Sequence, residues 1–261
     1  MSAGDQKPSG GVAARVDTRS DDYRSAEREL YGMLDSISLP REEICENLML
    51  FTTPQQLRRQ LFLYEIYKKI LDVPGSIMQF GVRWGRELAL FEALRTTFEP
   101  FNHSRRVTGF DTFEGYVGLD AKDGPSQQMK AGNLATTAGY DAELEQLLRT
   151  REALSPIPHV KKFDLVKGDV EQTLPAYLAE NPHTVVALAH LDLNLYRPTR
   201  FALETIRPHL TKGSIVIVDE VNLKTIPGET RALMEVFGLN NIRLRRDPMV
   251  GPTWPAYFVI E

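Results

Sequence analysis

The sequence predicts an α/β domain built on a doubly wound, mostly parallel sheet that finishes in an antiparallel hairpin. Three observations carry this expectation. From Ser76 onward short apolar runs alternate with helical patterns, most of the runs end in Gly, Asp or Glu, and the last two strand-like segments are joined by a turn-rich stretch. Parallel strands need a long crossover, usually a helix, whereas an antiparallel pair needs only a turn.

The elements follow in order. Residues 1–21 are polar and rich in Gly, Ser and Asp, with too little apolar surface to offset their ordering entropy, so a disordered tail is expected before a single domain over 22–261. Tyr23 to Asn47 reads as irregular helix. Thr52-Thr53-Pro54 supplies a helix-start signal, and Leu63, Ile66, Tyr67 and Ile70 fall at i, i+3, i+4 and i+7 of the helix that follows. Ser76–Phe80 is expected as a buried strand, 81–85 as a turn and Arg86–Thr97 as a helix. Further strands are expected over Arg106–Phe110, Phe163–Val166, Thr184–Leu191 and Gly213–Val218. A helix through Leu178 follows the third strand, and Pro198 is expected to open the helix after the fourth. The hairpin is placed at Asn241–Arg245 and Ala256–Ile260. The long stretch 116–158, turn-rich at first and amphipathic around Asp141 to Arg149, is expected as a helical lid insertion over the sheet edge.

Composition narrows the function. Of 261 residues 42% are hydrophobic and 25% charged, enough for one sizeable core. A net charge of -4 offers no general attraction to phosphate backbones or anionic lipid, so no nucleic-acid or membrane partner is expected, and a small-molecule ligand is. The single cysteine, Cys45, precludes an intrachain disulfide framework, and no apolar run approaches the roughly 20 residues of a membrane span. With no signal-peptide pattern, a cytoplasmic location is expected.

A parallel sheet binds its ligand at the carboxyl ends of its strands. There the sequence places Gln79, Gly81 and Gly85, then Asp111, Asp169, the set His190, Asp192 and Asn194, and finally Asp219 with Glu220. Glycines after a first strand admit close backbone approach by a ligand, and a carboxylate after the second can accept from both ribose hydroxyls, which points to a nucleoside. Alternation along a persisting strand would aim His190, Asp192 and Asn194 the same way, with Asp219 and Glu220 alongside. Hard carboxylate oxygens suit Mg²⁺, Ca²⁺ or Mn²⁺. The competing reading is that Asp192 and Asp219 cap the elements after them, and that His190 is an oriented core histidine rather than a base.

These segments resemble the macrocin O-methyltransferase family, metal-dependent sugar O-methyltransferases of antibiotic biosynthesis with a Rossmann-like class I methyltransferase fold. The carriers are Phe51-Thr-Thr-Pro54, Gln79-Phe-Gly-Val-Arg-Trp-Gly85, Gly109-Phe-Asp-Thr-Phe-Glu-Gly115, Lys167-Gly-Asp169 with Thr173-Leu-Pro175, Leu191-Asp-Leu-Asn-Leu-Tyr196 and Val218-Asp-Glu220, spread over about Met49 to Glu261. The resemblance implies S-adenosylmethionine as cofactor, with the methionine part at Gly81, the ribose at Asp111 and the adenine at Asp169. Around it the resemblance places Thr52, Thr53, Gln79, Val82, Gly85, Thr112, Phe113, Gly168, Val170 and Asp192. It further implies a divalent cation, Mg²⁺ by preference, on Asp192, Asp219 and Glu220. The chain departs from the family pattern at Gln79, where an acid is usual, at Asn194, where the second acid of Asp-x-Asp is usual, and at Glu220, where Asp is common.

The reaction expected is in-line transfer of the sulfonium methyl to a sugar hydroxyl, a deoxysugar of a nucleotide sugar or glycosylated natural product, with Asp192 or His190 as base. A catechol-type phenol is the alternative acceptor. An NAD-dependent oxidoreductase would share the sheet but normally shows GxGxxG, and Gly81 and Gly85 lack its third glycine. A non-catalytic cofactor-binding protein is favoured only by Gln79 and Asn194. The irregular N-terminal helices suggest a homo-oligomer, a dimer or higher.

Overall fold

The computed structural model describes residues 19–248 and 255–261. Its strands are β1 (Ser76–Phe80), β2 (Val107–Asp111), β3 (Phe163–Lys167), β4 (Val186–Leu191), β5 (Leu210–Val218), β6 (Arg245–Arg246) and β7 (Ala256–Val259). They form one sheet in the order β3-β2-β1-β4-β5-β7-β6. All neighbours from β3 to β5 are parallel, and β7 pairs antiparallel with both β5 and β6. The chain starts at the centre with β1, runs outward to β3 and then returns to β4, so the crevice of a doubly wound sheet opens between β1 and β4.

Helices cover both faces because strand residues alternate in direction. Ile77, Leu188 and Ile215 pack under α3 (Pro54–Lys69), α4 (Arg86–Phe98) and α5 (Tyr140–Glu152). Met78, Ala189 and Val216 pack under α6 (Val170–Glu180), α7 (Tyr196–Ile206) and α8 (Gly228–Val236). The apolar stripe of α3 is buried as its spacing requires, and Thr53 closes a capping box in which its hydroxyl accepts from Gln56 N and Gln56 Oε1 accepts from Thr53 N.

Several expected boundaries move, each for a visible reason. Helix α7 begins at Tyr196, two residues before Pro198, because the Asp123 carboxylate accepts the Tyr196 N–H at 2.6 Å. The outer hairpin strand shrinks to two residues. Asn241, expected to begin it, instead lies in the turn after α8, its side chain donating to Phe237 O and its N–H to Gly238 O. Of the expected tail, residues 1–18 lie outside the described residues, and Asp21 already opens α1 (Asp21–Gly32).

The stretch 116–158 divides in two. Its helix, α5, is the crossover from β2 to β3, with Leu144 and Leu148 inside the core. The segment before α5 is irregular and is tethered to the start of α7 through Asp123. The N-terminal arm is the opposite case. Neither α1 nor α2 (Arg41–Glu46) buries a residue, and Met33, Leu48, Met49 and Leu50 are 46–61% exposed.

A core crossover and a detachable lid differ in energy. Leu148 is fully buried, so Leu148→Ala should cost about 2–5 kcal/mol of global stability in urea unfolding. A loss below about 1 kcal/mol would show that α5 docks as a separable cover.

Candidate active site

The carboxyl ends of the strands lie level across the sheet. Gly81 N donates to Phe110 O, Asp192 N to Phe80 O, Asp219 N to Leu191 O and Gly168 N to Asp111 O, so each ladder continues one residue past its strand. Gly81 sits at φ 88°, and a Cβ there would overlap the Asp192 carbonyl oxygen. Only glycine allows this contact, which joins the turn after β1 to the loop after β4. Gly85, at φ 78°, starts α4 where a Cβ would meet Leu144.

Asp111 is occupied from within the chain. Its Oδ2 accepts from Val82 N and Arg83 N, both at 2.7 Å, and its Oδ1 from Phe113 N at 2.6 Å. The carboxylate thus ties β2 to the glycine turn. With roughly four acceptor sites on a carboxylate it keeps capacity for one more donor. Asp169 caps α6 by accepting from Glu171 N. Gln79 is fully buried; its Nε2 donates to Gly81 O at 3.0 Å, while its Oε1 has no partner. Thr52 donates to Leu48 O, Thr112 to Gly115 O, and Val82, Phe113 and Val170 are core residues.

The ends of β4 and β5 carry a cluster of ionisable groups. Ligand atoms of His190, Asp192 and Asp219 lie within 4.8 Å of one another. His190 is fully buried with neither ring nitrogen hydrogen-bonded, and its Nε2 stands 3.6 Å from Asp219 Oδ1. Neither aspartate is seen capping a helix, since α7 and α8 have no side-chain bond at their N-caps. Their partner is Arg59, a buried residue of α3 that also pairs with Glu87.

Two expected members stand aside. The strand direction that would aim Asn194 beside Asp192 stops at Leu191, and Asn194 turns into left-handed backbone at φ 62°. With its amide oriented to satisfy its neighbours, Asn194 donates to Glu220 at 2.8 and 2.9 Å and accepts from Tyr116 at 3.1 Å. Glu220 is accordingly outside the three-residue group. Both loops are held by Glu229, fully buried, whose Oε1 accepts from Leu193 N and Asn194 N and whose Oε2 accepts from Glu220 N.

Negative charge exceeds positive charge in this cluster. Burial and the neighbouring Asp219 push Asp192 up to about 6, and burial with Asp219 and Glu229 raises Glu220 well above the usual carboxylate value. Burial, aided by Asp192 and Asp219, lifts Glu229 to about 8 against the pull of its N–H donors. Burial acts upward on Glu87 and Asp219 too, but Arg59 prevails: with Arg86 it brings Glu87 to about 2, and with His190 it holds Asp219 below the ordinary value.

Comparison with known proteins places this geometry. The family described as Methyltransferase domain matches residues 79–221, which run from Gln79 in β1 past the acids of β5. The chain belongs to this family. The methyltransferase superposes on the crystal structure of CalS11, a calicheamicin methyltransferase, with TM-score 0.90 and 42% identity over 95% of this chain and 98% of that one. The apo structure of CalS11, described as a TDP-rhamnose 3'-O-methyltransferase of calicheamicin biosynthesis, matches at TM-score 0.82 and 41% identity over 93% and 96%. A Streptomyces olivaceus relative, 8-demethyl-8-(2,3-dimethoxy-alpha-L-rhamnosyl)-tetracenomycin-C 4'-O-methyltransferase, is 30% identical over 151 residues, 57% of this chain. The match spans about half of that relative, 53% of its length. The sheet of this methyltransferase is that of the class I S-adenosylmethionine-dependent fold, as its sequence led one to expect.

Proposed function

We propose that this methyltransferase transfers a methyl group from S-adenosylmethionine to a hydroxyl of a rhamnose-type deoxysugar, carried on a nucleotide or a natural-product glycoside. The observation that carries this reading is the contact of Gly81 with the Asp192 carbonyl, which sets the cofactor cradle directly against the acid cluster. The acceptor class follows from CalS11 and the tetracenomycin relative, both described as acting on rhamnose. No observation favours a phenol or a nicotinamide cofactor.

The residues fit the cofactor. Gly81 lets the turn after β1 close against the Asp192 backbone, Gln79 Oε1 is a buried acceptor without a partner for the amino group, and Asp111 retains acceptor capacity for a ribose hydroxyl. When bound, the cofactor supplies the electrophilic methyl. They also fit a divalent cation: one His190 ring nitrogen and carboxylate oxygens of Asp192 and Asp219 lie within 4.8 Å of one another, in a cluster with surplus carboxylate charge. Asp192 and Asp219 would hold it with His190 beside them, Glu220 remaining on Asn194, and it would supply polarisation of the acceptor hydroxyl.

Asp192 would meet that hydroxyl, a reading supported by its side chain being 28% exposed where His190 is sealed from solvent. It can accept the proton that leaves as the C–O–methyl bond forms; Asn194 has no such capacity. The segment 112–139, anchored where the Lys122 ammonium meets Tyr196 and Glu235 and by Asp123, borders the same edge and would limit water at the reacting centre.

The exposed apolar residues of the N-terminal arm suit cover by a second copy of the chain, and sedimentation equilibrium should then give at least twice the chain mass. A monomer at micromolar concentration would refute that. For the chemistry, Asp192→Asn should abolish most methyl transfer to a nucleotide-linked rhamnose while leaving cofactor affinity by calorimetry nearly unchanged, and chelation should reproduce the loss. Asp111→Ala should instead weaken cofactor binding about tenfold or more. Normal turnover by Asp192→Asn or by demetallated enzyme would overturn the metal-assisted reading.

A further inference from the structure

The acid cluster already contains a cation supplied by the chain itself. Arg59 lies on the buried stripe of α3 and is 4% exposed. Its Nη2 donates to Asp192 Oδ2 at 3.2 Å, its Nη1 lies 2.9 and 3.0 Å from the two oxygens of Asp219, and its Nε donates to Glu87 at 2.7 Å. A guanidinium cannot shed its proton in a protein, so this charge is permanent. The capping box at Thr53 and the core packing of Phe62, Leu63 and Ile66 fix the helix that carries it.

We propose that Arg59 is a resident counter-ion that competes with the divalent cation for Asp192 and Asp219 and so keeps the affinity of that site low. The proposal rests on the metal reading given above. A divalent ion bound between these aspartates would sit beside a like charge that contacts both. At the effective dielectric of a protein site, such a charge a few ångströms away weakens cation binding by on the order of tenfold or more. Holding the two carboxylates in place works in the opposite direction, but orienting side chains is a smaller effect than a full like charge at contact range. Arg59 therefore lets the two aspartates coexist when no ion is bound and makes the bound ion exchangeable.

The test is Mn²⁺ binding to the full chain, followed by calorimetry and by the paramagnetic resonance of free Mn²⁺, without cofactor or acceptor. Arg59→Gln should bind Mn²⁺ about tenfold more tightly or better, and Arg59→Lys, which keeps the charge, should stay close to the parent protein. A second readout uses the parent protein alone. The ¹⁵Nε resonance of Arg59, identified by its absence in Arg59→Lys, should shift on Mg²⁺ titration along the same isotherm as binding, and this stands if Arg59→Gln does not fold. Equal or weaker Mn²⁺ binding by folded Arg59→Gln, or an Arg59 resonance indifferent to Mg²⁺, overturns the proposal alone. Absence of Mn²⁺ binding from every variant overturns the metal reading together with it.

Discussion

Glu87, Asp192, Asp219, Glu220 and Glu229 crowd the same end of the sheet, and the positive charge of Arg59 does not balance them. Buried charge of one sign is costly, so each carboxylate must find a cation, take up a proton or collect N–H donors. All three solutions are visible. Glu87 and Asp219 lean on Arg59, Asp192, Glu220 and Glu229 are shifted toward protonation, and Glu229 also gathers backbone N–H groups of the loops after β4 and β5.

Sheet geometry creates the crowding. Parallel pairing of β1 with β4 and of β4 with β5 brings Gln79, His190 and Ile217 into one row, and the next rows lead directly into Gly81, Asp192 and Asp219. The same register sets the bare backbone of Gly81 against Asp192. The glycine turn after β1 and the acid cluster are thus two sides of one contact. Asp111 extends the coupling to β2 by binding the N–H groups of the glycine turn.

Much of this was legible in the sequence, because strand ends and glycine turns are local features. The expected bounds of β1 match at both ends, and Asp111, Asp169, Asp192 and Asp219 stand at the strand ends where the sequence puts them. Asn194 escaped because its left-handed backbone breaks the alternation on which its orientation was argued. Helix α5 reads as a surface insertion because Leu144 and Leu148 make a sparse stripe, which packing into the cluster with α4 and the sheet turns into a core contact. The residues missed outright, Arg59, Glu87 and Glu229, share one signal. Each is a charge on the apolar stripe of its helix: Arg59 with Phe62, Leu63 and Ile66, Glu87 with Phe91 and Leu94, Glu229 with Ala232, Leu233 and Val236. A charge at a core position of an amphipathic helix predicts a buried partner, and here the partners are one another and the strand-end acids.

The claim on which the account turns is that this surplus of carboxylate charge receives a divalent cation beside the cofactor cradle. Anomalous diffraction from crystals grown with Mn²⁺ and demethylated cofactor tests it most directly. The account predicts a manganese peak bounded by His190, Asp192 and Asp219 on the side facing Gly81, with Arg59 against its outer edge. Full occupancy of the cofactor with no anomalous peak in that position, at Mn²⁺ concentrations that sustain methyl transfer, would contradict it.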